Sequence, residues 1–303
     1  MKIQILFVLA FVFANPSFAA APKTAAEILD QSPASDWHPL DEKTTVYFDF
    51  ELPSKATTQV VMQLSSDLSP LHFENIATLI REKYFAGLTI YRVQDNWVVQ
   101  WGDANADDVN LKKSFGSAKE TLPGEFDIDT ALLKGVFTKV PDADPLADEV
   151  GFYGDFPAGR SLTEGKSWLI HCYGTLGVAR AQDVTSGSGS SLYAAIGPAR
   201  RLDRNYTVVG KVVSGMESFS SLPRGSAPEG GFYPDPAQYL KILNVRFASE
   251  VPENEKSKLQ ILNSNSETFK EWLNTRRNVV GMPHNWEKVD ICGISLPTRI
   301  PKP

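Results

Sequence analysis

Cysteine and histidine are scarce in this sequence, which has two cysteines and four histidines among 303 residues. The histidines, His38, His72, His171 and His284, lie far apart, and no pair has the spacing typical of a metal site. The sequence also lacks the Gly-x-Ser-x-Gly elbow of serine hydrolases and the third glycine of a dinucleotide-binding loop. We therefore expect neither a metal ion nor a cofactor.

An excess of positive charge is also lacking. The chain has 30 Lys and Arg against 36 Asp and Glu, which gives a formal net charge of -6. Its basic residues are scattered, whereas binding to a phosphate backbone needs them clustered on one face. The composition therefore argues against a nucleic-acid partner.

Long apolar runs are absent except at the N-terminus. Met1 and Lys2 precede an apolar run over residues 3–13, and small residues follow up to Ala21. This layout is typical of a secretory signal over residues 1–20, and the run is shorter than the roughly 20 residues that span a bilayer. We expect cleavage near residues 19–21 and a periplasmic or secreted protein with no membrane span; the alternative interpretation is a buried helix or an anchor.

Whether the two cysteines, Cys172 and Cys292, form a disulfide depends in part on export. An oxidising compartment allows them to persist as a disulfide that closes a long loop. Two separate buried thiols are equally compatible with the sequence, because it does not show whether their Cα atoms approach within about 7 Å.

The hydrophobic pattern indicates a mainly β domain over residues 45–248. Residues 22–44 form a lead-in that is either mobile or packed on the surface, with a short helix over residues 24–29. An insertion over about 104–166 is poor in apolar runs, with one short helix predicted over residues 128–133. A C-terminal extension, 249–303, contains a predicted helix over 266–277.

Within the β domain, alternating or apolar runs predict the strands and a three- and four-residue period predicts one helix that begins at Pro70. The predicted strands cover residues 46–50, 60–64, 89–93, 97–100, 168–172, 176–179, 192–196, 207–213 and 240–247.

Three ordered motifs carry a family resemblance. The first is F-E-N-I-A-T-L-I-R-E-K-Y-F-A-G-L-T followed by I-Y-R-V-Q-D-N-W-V-V-Q-W-G-D over residues 73–103. The second is G-T-L-G-V-A-R-A over residues 174–181, and the third runs from Ser188 to Met216. Together they resemble the cyclophilin family of peptidyl-prolyl cis/trans isomerases, in the order expected for that family.

The resemblance implies a closed, antiparallel, eight-stranded β-barrel capped by helices, which periodicity alone does not distinguish from a sandwich. It also implies catalytic roles for Arg92 and Gln100. The remaining positions that match the family's substrate groove are Tyr91, Trp97, Val98, Ala179, Arg180, Ser191, Tyr193, Leu202 and Tyr206.

Several positions depart from the family pattern. Tyr91 stands where His is usual, Ser191 where Gln is usual, and Arg201 where relatives sensitive to cyclosporin carry Trp. None of these departures removes the guanidinium of Arg92, so we expect isomerase activity on proline-containing unfolded or exported polypeptides. Because of Arg201, we also expect weak binding of cyclosporin-type ligands. We also expect a monomer. The competing hypotheses are a non-catalytic binding or chaperone module with the same fold, and a structural β domain without a groove.

Overall fold

A computed structural model describes residues 23–228, 230–279 and 281–301. The predicted signal segment, residues 1–20, lies outside these ranges. Within them, no helix has both the length and the apolar character needed to cross a membrane.

The described part of the chain is mainly β. Its α-helices are Ala25–Asp30 (α1), Pro70–Arg81 (α2), Met216–Ser220 (α3) and Glu267–Arg277 (α4). Its strands are Trp37–Pro39 (β1), Thr45–Glu51 (β2), Thr57–Leu64 (β3), Thr89–Gln94 (β4), Val98–Gly102 (β5), Ile128–Asp129 (β6), Phe137–Lys139 (β7), Glu149–Tyr153 (β8), Phe156–Ser161 (β9), Lys166–Leu169 (β10), Thr175–Val178 (β11), Leu192–Ala195 (β12), Val208–Ser214 (β13), Leu240–Phe247 (β14), Gln260–Leu262 (β15) and Thr298–Arg299 (β16).

Eight of these strands close into a barrel. Their order around it is β11-β12-β5-β4-β14-β2-β3-β13, and β13 pairs with β11 to close the ring. All neighbouring strands are antiparallel. The expected closed eight-stranded barrel is therefore confirmed.

Aromatic side chains fill the barrel. The Phe48 ring lies 5.0 Å from that of Trp101, and Phe219 stacks on both Trp101 and Phe50. All four side chains are almost completely buried, and burial of such a side chain stabilises a fold by about 1.5–3 kcal/mol. Because Val99 and Trp101 point into this core, the alternation along β5 turns Val98 and Gln100 to the outside of the barrel.

Helix α2 packs on the same core. Pro70 occupies its first turn, where the missing N–H is harmless, and Ile76, Leu79 and Ile80 are buried. The periodicity-based prediction of this helix is confirmed, and the helix ends at Arg81, shortly before the range 83–87 in which the sequence pattern places its end. Strand β4 begins eight residues after α2 ends.

The insertion differs from the prediction. It forms a five-stranded sheet in the order β6-β10-β9-β8-β7. The helix predicted over residues 128–133 is wrong: a two-residue strand, β6, is followed by a single 3-10 turn, Thr130–Leu132. The strand predicted over 168–172 belongs to this sheet, as β10, and not to the barrel. Periodicity identified the strand but could not identify its partner.

The lead-in and the C-terminal extension pack together. Strand β1 pairs with β15, and β16 adds a third strand. Trp37 of β1 and Ile28 of α1 are buried against the insertion sheet and the extension, so the lead-in is a packed arm. Ser266, the first residue of the predicted helix, is the N-cap of α4, which begins one residue later and ends at Arg277 as predicted.

Cys172 and Cys292 form a disulfide with their Cα atoms 4.9 Å apart. It joins the segment before β11 to the extension, 120 residues further along the chain.

Candidate active site

Three neighbouring strands align polar side chains on the outside of the barrel. Arg92 of β4 lies directly opposite Gln100 of β5, which in turn lies opposite Tyr193 of β12. Residues in such cross-strand positions share one face of the sheet. Gly177 of β11 completes the row, and it must be glycine because a Cβ there would overlap the Tyr193 ring. The row is therefore a consequence of strand register.

The guanidinium of Arg92 is held from several sides. Its Nε donates to the carbonyl oxygen of Gly230 at 2.7 Å, Nη1 donates to Gln100 Oε1 at 2.8 Å, and Nη2 donates to Gln94 Oε1 at 2.6 Å. A guanidinium has five N–H groups, so one N–H on each terminal nitrogen has no partner among the described residues. Burial lowers the pKa of Arg92 from its ordinary value.

Gln100 is in turn held by two residues that depart from the family pattern. Its Nε2 donates to the Tyr91 hydroxyl at 2.9 Å and to Ser191 Oγ at 3.2 Å. Tyr91 and Ser191 also bond to each other at 2.9 Å. The two substitutions therefore form one hydrogen-bonded unit, which fixes the amide so that Oε1 faces Arg92. Burial raises the pKa of Tyr91, which keeps its hydroxyl protonated.

A cavity of about 440 Å³ opens in front of this row. Its lining consists of aromatic and apolar side chains together with three arginines, Gln100 and the half-buried Ala179: Arg92, Trp97, Val98, Gln100, Ala179, Arg180, Tyr193, Arg201, Leu202, Tyr206 and Phe232. We refer to this cavity as the groove.

A hydrogen-bonded chain supports the Tyr193 wall from behind. His171 Nε2 lies 2.9 Å from the Tyr193 hydroxyl, and His171 Nδ1 lies 3.0 Å from Asp203 Oδ1. In the neutral ring with hydrogen on Nδ1, the imidazole donates to Asp203 and accepts from Tyr193. Arg200 binds the other oxygen of Asp203 at 2.6 Å. Burial raises the pKa of Tyr193 well above its ordinary value, so this wall of the groove stays neutral.

The structure brings nine of the eleven residues predicted from the resemblance to the groove. Tyr91 and Ser191 are absent from its lining and lie behind Gln100.

Sequence reasoning missed Phe232, which lines the groove beside Arg92, and it missed Gly230 and Gln94, which hold the guanidinium. His171 was considered only as a metal ligand, a role for which a single histidine gives no support. No periodic pattern identifies Phe232, because it lies in an irregular Gly- and Pro-rich segment.

A closed barrel that carries an outward-facing arginine, a glutamine fixed against it and an aromatic recess beside both defines a class of protein with the cyclophilin fold. Comparisons with known proteins agree. The family model described as cyclophilin type peptidyl-prolyl cis-trans isomerase/CLD matches residues 47–247. The chain belongs to this enzyme family.

Individual relatives support the assignment. The chain is 29% identical over 182 residues to proteins from Brucella suis and Brucella melitensis, both named probable peptidyl-prolyl cis-trans isomerase, and the match covers 60% of this chain and 75% of each relative. Its fold is similar to a crystal structure of the cyclophilin AquaCyp293 from Hirschia baltica, with a TM-score of 0.68 and 20% identity. That match covers 92% of this chain and 98% of the other. The fold similarity therefore extends well beyond the barrel.

Proposed function

We propose that this chain accelerates rotation about X-Pro bonds in exported polypeptides, with Arg92 as the catalytic residue and the groove as the proline site. The observation that carries the proposal is the position of the Arg92 guanidinium, which lines the groove while hydrogen bonds to Gly230, Gln94 and Gln100 fix it in place.

The chemistry requires a donor that favours the transition state. Rotation is opposed by amide resonance, with a barrier of about 18–20 kcal/mol. As the bond turns, the prolyl nitrogen becomes pyramidal and gains a lone pair that the planar ground state lacks. A fixed N–H of Arg92 can donate to that lone pair, and an interaction made only in the transition state lowers the barrier.

The apolar part of the groove supplies the binding. Val98 and Tyr193 are nearly fully buried, and Trp97, Leu202 and Tyr206 complete the wall. Such a recess accepts a pyrrolidine ring and excludes water, which strengthens the hydrogen bond from Arg92. No covalent intermediate and no cofactor enters this mechanism.

Export is supported by the N-terminal sequence alone. The charged, apolar and small-residue layout of residues 1–21 is that of a secretory signal. We infer that the mature protein works in the periplasm or outside the cell, on unfolded chains that arrive there.

The decisive experiment measures cis/trans exchange of a proline peptide by NMR exchange spectroscopy with wild type, Arg92→Ala and Arg92→Lys. Wild type should accelerate exchange, and Arg92→Ala should lose about 10²–10³ in kcat/KM, as expected when a transition-state donor is removed. Arg92→Lys should also be impaired, because an ammonium cannot reproduce the fork that meets Gly230, Gln94 and Gln100.

Circular dichroism of each variant separates loss of chemistry from loss of fold. Wild type without any acceleration would contradict the proposal; if it nevertheless suppressed aggregation of an unfolded client, the non-catalytic chaperone module would be favoured. Equal rates for wild type and a folded Arg92→Ala would remove the arginine from the mechanism.

A further inference from the structure

Three arginines line the groove, and their positive charge is opposite in sign to the net charge of the molecule. Arg92, Arg180 and Arg201 contribute to one cavity, although the whole chain has a formal net charge of -6. Among the described residues, none of the three forms an ion pair with a carboxylate; their partners are carbonyl and amide oxygens and aromatic rings. The groove therefore concentrates positive charge that no direct ion pair within the described residues neutralises.

In the turn that carries Arg201, the neighbouring arginines form ion pairs and Arg201 does not. Its neighbour Arg200 binds both oxygens of Asp144, at 2.8 and 2.9 Å, and also binds Asp203. Arg204, three residues after Arg201, is paired with Asp127 and Glu164. Between these two neutralised arginines, Arg201 is exposed and its Cζ lies 4.1 Å from the centroid of the Trp97 ring. The acidic residues of this region are thus committed to the other two arginines.

Arg180 is fixed in place by backbone carbonyl oxygens and an aromatic ring. Its Nε and Nη2 donate to the carbonyl oxygen of Asn205, and Nη1 donates to the carbonyl oxygens of Ala181 and Gln182. Its Cζ lies 4.4 Å from the Tyr206 ring centroid. The nearest acidic residue in sequence, Asp183, accepts from the backbone and the hydroxyl of Thr185. Its carboxylate interacts with the charge of Arg180 but forms no ion pair with it, and the Thr185 bonds together with the field of Arg180 lower the pKa of Asp183.

We propose that Arg180 and Arg201 make this groove selective for proline segments that carry Asp or Glu next to the proline, and that they disfavour segments with Lys or Arg there. The inference rests on the proposed function, because it names the substrate class of the same site. Stacking on Tyr206 and Trp97 holds both guanidiniums at the edge of the recess, so little side-chain entropy is lost when a carboxylate arrives. Complementary charge across a binding surface contributes mainly to selectivity and to the rate of encounter.

The test uses peptides that differ only in charge. One series has Glu, Gln or Lys immediately before the proline, and a second has the same residues immediately after it. We expect kcat/KM from NMR exchange to follow the order Glu, Gln, Lys in at least one series. A spread on the order of tenfold is expected, since one exposed ion pair changes an equilibrium by up to about fivefold and Lys adds repulsion. The spread should shrink in about 0.5 M salt, where the screening length is a few ångströms.

Arg180→Gln and Arg201→Gln should each reduce the Glu-to-Lys ratio. Arg276→Gln is the matched control, because Arg276 is also exposed and lies over a tryptophan, Trp272, but on helix α4; it should leave the ratio unchanged. Equal kcat/KM for Glu and Lys peptides in both series, or a ratio that survives both groove substitutions, would overturn the proposal.

Failure of the proposed function is distinguishable from failure of this inference. If no peptide is accelerated by wild type, the isomerase proposal fails. The charge preference is then measured as the ratio of dissociation constants, from NMR titration of the same Glu and Lys peptides. Tighter binding of the Glu peptides that is lost in Arg180→Gln or Arg201→Gln would support the inference, and equal binding would contradict it.

Discussion

The ring of Phe232 covers the guanidinium of Arg92, with 5.0 Å between the Arg92 Cζ and the ring centroid. Phe232 also stacks nearly parallel on Tyr91, with the centroids 6.0 Å apart. The two backbones form a β-bridge at Arg92 and Phe232. Arg92 is thus enclosed between the barrel and a segment far along the chain.

That segment runs beside β4 as an irregular extra strand. Val93 N–H donates to the carbonyl of Gly231, and Tyr233 N–H donates to the carbonyl of Tyr91. Gly231 has a φ of +83°, and a Cβ there would overlap the backbone of Gln94. Glycine therefore permits the close approach that brings the Gly230 carbonyl to Arg92.

We predict that Phe232→Ala lowers kcat/KM by about three- to tenfold, because a cation–π contact at a partly exposed site is worth about 0.5–1 kcal/mol and the guanidinium also gains freedom. Phe232 acts through Arg92 and is a positioning residue. Phe232→Tyr keeps the ring and should restore most of the activity, as measured by NMR exchange of a neutral proline peptide. Recovery with Leu as complete as with Tyr would show that only bulk is needed.

Ligand binding offers an independent test of the Arg201 side of the groove. The Arg201 guanidinium lies over Trp97, with its Cζ 4.1 Å from the ring centroid, and it puts charge where the family pattern has Trp. We predict weak binding of cyclosporin to wild type and at least about tenfold tighter binding to Arg201→Trp, because a charged group at an apolar contact must be desolvated. Isothermal titration measures both dissociation constants. Tight binding to wild type would refute the prediction.

How much of this site the sequence could predict depends on how local each feature is. Arg92, Gln100 and Tyr193 follow from ordered motifs and from the alternation of residues along strands, so sequence places them together. The contacts of Arg92 with Gly230 and Phe232 join distant parts of the sequence. Arg92 and Gly230, for example, are 138 residues apart, and no local pattern indicates such a contact.

The insertion shows the same limit for the fold. Its short strands, such as Phe137–Lys139, carry little periodic signal and form only because neighbours such as Glu149–Tyr153 pair with them. The disulfide pairing also depended on a distance that the sequence left open.

The Cys172–Cys292 disulfide should stabilise the folded protein relative to the unfolded chain. Closing a long loop restricts the unfolded chain, and removal of such a bond typically destabilises a protein by about 2–4 kcal/mol. We predict that Cys292→Ser lowers the free energy of unfolding in urea by an amount in this range. Cys292 lies outside the groove, so exchange of a neutral proline peptide at 25 °C should change less than about twofold. An unchanged urea midpoint would show that the bond adds nothing to the free energy of unfolding.

Stability should also depend on pH through a pair that ties the lead-in to the insertion. His38 Nε2 of β1 lies 3.0 Å from Asp155 Oδ1, and Gln63 donates to the same carboxylate. The hydrogen bond to Asp155 raises the pKa of His38. For Asp155, burial works against ionisation, but His38, Lys211 and Gln63 together hold the pKa of this carboxyl below its ordinary value.

The signs of these shifts define the pH range. A raised histidine pKa gives stabilisation that is complete below the ordinary value of about 6.5 and is lost as pH rises through the folded-state pKa. A lowered aspartate pKa gives stabilisation that is present above about 3.9 and is lost as pH falls through its folded-state pKa. The pair therefore contributes most between about pH 4 and 6.5.

We predict that His38→Gln lowers Tm relative to wild type by about 1 °C at pH 5.5 and by less at pH 7.5. The effect is small because the His38 side chain is 42% exposed, which limits the pair to about 0.5 kcal/mol. Lys211 also contacts Asp155, because its Nζ donates to the backbone carbonyl of that residue. Burial lowers the pKa of Lys211 to about 8. Because Lys211 is present in both proteins, its titration largely cancels when the two Tm values are subtracted at each pH. Scanning calorimetry at the two pH values measures the difference, and a difference that grows toward pH 7.5 would contradict the assigned sign.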